Sequence, residues 1–142
     1  MSKEAQAGLI LKLYDLRREE TMRKARDWFF MEFHPATLDD FQAAMYGPHS
    51  GHLRMVISYW DMYAALVLHE TIDAGLFRDC NGEYIGVFSK IEPILKDIQK
   101  AYSPRFADNL ERLIDLTPDG RQQSATQRER MKAIREKMPK AK

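Results

Sequence analysis

The sequence predicts an all-α domain, a single bundle of five to six helices with a long N-terminal helix and a basic C-terminal tail. Three observations carry that expectation. Residues 52–71, HLRMVISYWDMYAALVLHET, are apolar except for one narrow polar stripe, as befits a helix at the centre of a bundle. Residues 3–33 contain no proline and one glycine, and are rich in strong helix formers. No run alternates apolar and polar side chains as a half-buried strand does.

Each element follows from local signals. In residues 3–33, Ile10, Leu11, Tyr14, Met22, Ala25, Trp28 and Phe29 form a broad apolar face of one long helix. Leu9, Leu13 and Leu16 add a second apolar row near its N-terminal end. Two apolar sides require two neighbours, and the second could be a partner chain. Pro35 should end this helix, because the residue before proline disfavours the helical conformation. Thr37, Leu38, Asp39 and Asp40 read as a capping box, with aspartate in place of glutamate, opening a short helix through Met45. Residues 47–51, GPHSG, form a loop before the central helix, whose polar stripe is Arg54, Ser58, Asp61, Ala65 and His69. These five lie within about 80° of one another at 100° per residue. The stripe is either the helix's wet face or a polar seam inside the protein.

Asp73 is placed to cap a short turn of helix over residues 74–78. Asn81 and Gly82 signal a turn, read as a helix–helix connection because its flanks do not alternate. In the next helix, residues 84–102, Tyr84, Val87, Phe88, Ile91, Leu95, Ile98 and Tyr102 share one stripe, and Pro93 should kink it near Ser89 or Lys90. Ser103 and Pro104 are a helix start, with Phe106, Leu110, Leu113 and Ile114 as the core face. Residues 117–120, TPDG, are a turn, after which apolar content collapses. The division expected is a helical bundle domain over 1–120 and a basic tail over 121–142, frayed or disordered.

The composition, 44% hydrophobic and 30% charged, is that of a soluble globular domain, and 142 residues suffice for one core. No apolar run reaches the roughly 18 residues needed to span a bilayer, and the N-terminus lacks the shape of a secretory signal. A single cysteine, Cys80, excludes an internal disulfide and fits a reducing, cytoplasmic compartment. The net charge of +1 conceals an asymmetry. Residues 121–142 carry eight Lys or Arg against two Glu, +6, and the other 120 residues carry 14 against 19, −5.

Few residues suggest chemistry. His69, Glu70 and Asp73 distantly resemble a zinc-protease helix motif, but two ligands are too few, and a helix end is the simpler reading. His49 and His52 make an H-x-x-H in a loop, where histidines are common, and no metal or other cofactor is expected. Asp61, between Trp60 and Met62 in the most apolar element, is the most conspicuous carboxylate. Buried, it needs a partner such as Arg54, a tyrosine hydroxyl or an indole N–H; in a pocket it could act as a general acid. There is no phosphate-binding glycine loop, nucleophile elbow or dinucleotide fingerprint.

Four stretches stand out: Leu16, Arg17, Arg18, Glu19, Glu20 through Trp28, Phe29, Phe30; the pair Trp60, Asp61; Val67, Leu68 to Ile72, Asp73, Ala74, Gly75, Leu76, Phe77; and Asn109, Leu110, Glu111, Arg112, Leu113. Together they resemble a family of uncharacterised bacterial all-helical proteins, a domain of unknown function. The resemblance covers about residues 9–116. Members often carry a membrane helix ahead of the domain, which this sequence lacks, and Asp61 stands where glutamate is commoner. The resemblance implies a helical fold, brings no assigned activity, and marks Asp61, Asp73 and Glu111.

The function expected is a non-catalytic interaction or assembly module, a homodimer formed through Leu9, Leu13 and Leu16. One competing expectation is a small-molecule-binding or hydrolytic pocket around Asp61 with His69, Asp73 or Glu111. The other is binding of nucleic acid or acidic surfaces by residues 121–142.

Overall fold

Helices and short connections make up the described part of this computed structural model, residues 1–139. The elements are α1 (Lys3–Arg18), α2 (Glu20–Met31), α3 (Leu38–Met45), α4 (Ser50–Leu68) and α5 (Ala74–Cys80). They continue with α6 (Glu83–Ile91), a 3-10 turn (Glu92–Ile94), α7 (Leu95–Ala101), α8 (Asp108–Leu116) and α9 (Gly120–Lys137). These are more and shorter helices than the five or six expected, because three of the expected helices break or begin late.

The long N-terminal helix is two helices. Glu19 adopts an extended backbone, and its carboxylate accepts the N–H groups of Thr21 and Met22, both at 3.0 Å. It thus caps α2 where no proline or glycine announced a break. Arg26 then reaches back to the Arg17 carbonyl at the end of α1. The Thr37 capping box forms as expected, the Thr37 hydroxyl accepting the Asp40 N–H and the Asp40 carboxylate accepting the Thr37 N–H.

Helix α4 lies between α2 on one side and α8 on the other. Its Leu53, Val56, Trp60 and Ala64 are fully buried. A large apolar side chain taken fully out of water contributes about 1.5–3 kcal/mol, so this helix organises the core. The Trp60 ring meets Tyr59 edge-on and lies near Phe77. The polar stripe faces outward at Arg54, Ser58 and His69, while Asp61 is half-buried.

Pro93 divides the expected helix over 84–102 into α6, the 3-10 turn and α7, slightly later than the kink site read from the sequence. Proline has no N–H to give the Ser89 carbonyl four residues earlier. Arg128 of α9 supplies the missing donor, its Nη1 lying 2.9 Å from Ser89 O. The Ser103–Pro104 start signal yields only a turn, in which Ser103 Oγ accepts from Arg105 N–H, and α8 begins at Asp108.

Residues 121–137 of the basic tail lie in a continuous helix, α9, and not in a frayed or disordered end; residues 140–142 lie outside the described part. Helix α9 packs on α6 and α8. Its first residue must be glycine: a Cβ at Gly120 would stand 2.0 Å from the Ile114 carbonyl oxygen.

Candidate functional site

Asp61 acts across the bundle. Helix α8 begins after Ala107, which has a left-handed backbone (φ 51°) and no side chain able to cap. Asp61 of α4 fills that role: its carboxylate accepts Leu110 N–H at 2.9 Å and Asn109 Nδ2–H at 3.2 Å. An anion at a helix N-terminus also opposes the helix dipole favourably. The partners considered from sequence, Arg54, a tyrosine or an indole, are not the ones used. The Trp60 indole donates instead to Glu83, which also holds Arg26 in a two-pronged ion pair.

Glu111, the residue after Leu110, joins a network of ions. Arg121 donates to Glu111, Asp115 and Glu92, and stacks over the Phe88 ring. Lys96 approaches Glu111 at 3.4 Å, and Arg128 and Ser124 both donate to Glu92. Burial alone would raise the Glu92 carboxyl; hydrogen bonds from Ser124, Arg121 and Arg128 overcome it and hold the group below its ordinary range. Glu111 is lowered in the same manner by Arg121, Gln99 and Lys96. The network fastens α9 to the body of the protein, so two of the tail's cations are engaged internally.

Asp73 caps α5 by accepting Leu76 N–H at 2.8 Å, as its sequence position implied, and its own N–H donates to Gln6. It lines an open cavity of about 590 Å³ with Gln6, Glu70 and Leu116. His69 ends α4 and is exposed. Asp61, His69, Asp73 and Glu111 therefore serve separate places and do not converge on one pocket. His49 and His52 stack on each other and His49 stacks on Trp28. Among the described residues, no three His, Cys, Asp or Glu side chains are grouped to hold a metal ion.

Of the leucine row, Leu13 is 1% exposed and Leu9 packs against the core, so these two are spent within the chain; Leu16 is 37% exposed. The outward side of α1 carries Leu11 and Tyr14 instead.

A second polar assembly surrounds Lys90. This lysine is 6% exposed, and its Nζ donates to Phe33 O at 2.7 Å and to His34 Nδ1 at 2.9 Å. The His34 Nε2 lies 3.0 Å from Met31 O, so the tautomer protonated there leaves Nδ1 as the acceptor. Burial, with Arg135 nearby, pushes the Lys90 ammonium down to about 8. Burial and the facing lysine lower His34 as well. Both line a cavity of about 180 Å³ with Pro35, Pro93 and the α9 residues Arg128, Lys132 and Arg135.

Residues 4–116 match the model of a domain of unknown function, DUF4760. The chain belongs to that family. No curated protein and no solved structure matches it. The DUF4760 segment includes Asp61, Asp73 and Glu111, whereas α9 lies beyond it. Both the Glu92–Glu111 network and the Lys90 cavity are therefore built where the DUF4760 segment meets α9.

Sequence reasoning passed over Lys90, Glu92 and Glu83. The available signal was Lys90 itself, a lone cation in the apolar run Ile85–Gly86–Val87–Phe88–Ser89–Lys90–Ile91. A lysine there is seldom fully buried without a reason.

Proposed function

We propose that the chain is a non-catalytic helical module that assembles with a second copy of itself through the outer face of α1. The observation supporting this reading is that Leu11 is 65% exposed and Tyr14 48% exposed on one side of that helix. Residues 4, 8, 11, 14 and 18 follow helical spacing along it. A two-fold axis through Leu11 running two α1 helices antiparallel would set Leu11 against Leu11 and Glu4 against Arg18. It would also set Gly8 against Tyr14. Gly8 has open space where a Cβ would be, room for an aromatic ring. Isologous pairing of this kind is the commonest route to a homodimer. No described helix is long and apolar enough to cross a membrane, and the lone Cys80 favours a cytoplasmic setting.

Light scattering coupled to size exclusion tests the proposal. The expected result is a dimer at tens of micromolar that Leu11→Glu converts to monomer with unchanged helical content, because the position is exposed. A wild-type chain that elutes as a monomer under those conditions overturns it.

A further inference from the structure

We propose that the cavity between Lys90 of α6, the His34–Pro35 connection and α9 is a binding site for a compact phosphate-type anion. The case begins with an imbalance of charge. Lys90 is almost wholly buried, yet its two hydrogen-bond partners, a carbonyl and a neutral imidazole, are uncharged. It makes no ion pair with a carboxylate among the described residues, and an ammonium has a third donor to give. Buried charges are normally paired, so a lone ammonium beside a cavity calls for an anion.

The neighbours sharpen the demand. Arg128, Lys132 and Arg135 line the same cavity and lie four and three residues apart, on one face of α9. Glu92 partners Arg128, but Lys132 and Arg135 make no ion pair among the described residues. The lining thus carries four cations and no carboxylate; only Arg128 is paired, to Glu92 outside the lining, which is already shared with Arg121 and Ser124. A surplus of about three positive charges suits a dianion better than a single carboxylate. Guanidinium groups also supply the forked donors that oxyanions accept.

Size and walls agree with that chemistry. A volume of about 180 Å³ falls below the range of about 300–1,000 Å³ usual for drug-sized ligands. Pro35, Ala36, Pro93 and Met131 give the cavity apolar walls, which strengthen electrostatic contacts inside it. The site is formed within one chain and does not depend on the self-association proposed above.

Isothermal titration of the full chain with inorganic phosphate, at constant ionic strength set by chloride, tests the site. Saturable binding at one site per chain is expected, accompanied by an upward shift in melting temperature. Lys132→Gln with Arg135→Gln alters two exposed positions and should keep the fold, while weakening phosphate about tenfold. Lys90→Met, provided its circular dichroism is that of wild type, should abolish binding. Glycerol 3-phosphate is titrated in parallel. A monoester bound at least as tightly as phosphate identifies the end of a larger molecule as the ligand, and a weaker one identifies the free ion. The proposal fails if neither probe saturates, or if the double variant binds phosphate as wild type does.

Discussion

A single carboxylate from one helix starts another. Ala107 is a poor residue to precede a helix, since it offers no oxygen to the first free N–H groups, and its left-handed backbone adds strain. Asp61 supplies the oxygen to the Leu110 N–H from a site 49 residues away in sequence. Asp61→Ala is expected to destabilise the fold by about 1 kcal/mol, with Asp61→Asn losing less because its amide oxygen still accepts. Urea unfolding measures both, and a wild-type midpoint for the alanine variant would refute the capping role. The sequence made Asp61 conspicuous, because a carboxylate in so apolar a helix needs a partner. It could not reveal the partner, because a capping acceptor is matched to backbone N–H groups that any sequence possesses. Asp73 was easier to read, since the N–H it caps lies three residues on. Lys90 escaped notice for a different reason: its acceptors are the Phe33 carbonyl and the His34 ring, again invisible as a sequence pair.

At the scale of elements, proline and arginine act together. Pro93 leaves the Ser89 carbonyl without its usual helical donor, and Arg128 makes good the loss. Arg128→Met should therefore cost about 1–2 kcal/mol in the natural chain. In a Pro93→Ala background, the restored N–H can serve Ser89, and the same substitution should cost less by about 0.5–1 kcal/mol. A double-mutant cycle by chemical denaturation reads this coupling, and strict additivity would disprove it. Local signals were legible where the chemistry is local: the Thr37 capping box and the Asn81–Gly82 connection between α5 and α6 form where read. The break at Glu19 was not legible. Glutamate is a good helix former, and only the tertiary packing of α1 and α2 makes it a cap. Ser103 and Pro104 likewise carry a start signal that the chain spends on a turn, since α8 begins where Asp61 can reach it.

Across the whole molecule, α9 is held by salt links as much as by apolar contact. The all-helical fold and the central place of α4 were readable from periodicity, but the tail's docking was not, because its face is ionic and its mean composition resembles a solvated end. Glu92, Glu111 and Asp115 are held below the ordinary carboxyl values of 4.5 and 3.8. Groups lowered in the folded state add stability that is complete above those ordinary values and is lost as pH falls through the lowered ones. Acidification below about pH 4.5 should therefore loosen α9 before the α2–α4–α8 core. Hydrogen exchange would show α9 and the face of α6 that α9 covers gaining label first, and uniform protection down to global unfolding would contradict this. The Pro93 break carries a practical corollary. A fragment trimmed to the family boundary at residue 116 would retain the proline but forfeit the guanidinium that answers it, together with Arg121, which pairs with Glu92 and Glu111. Anyone excising the domain should cut beyond Lys137, or expect a wound along α6 that the shortened polypeptide has no means to dress.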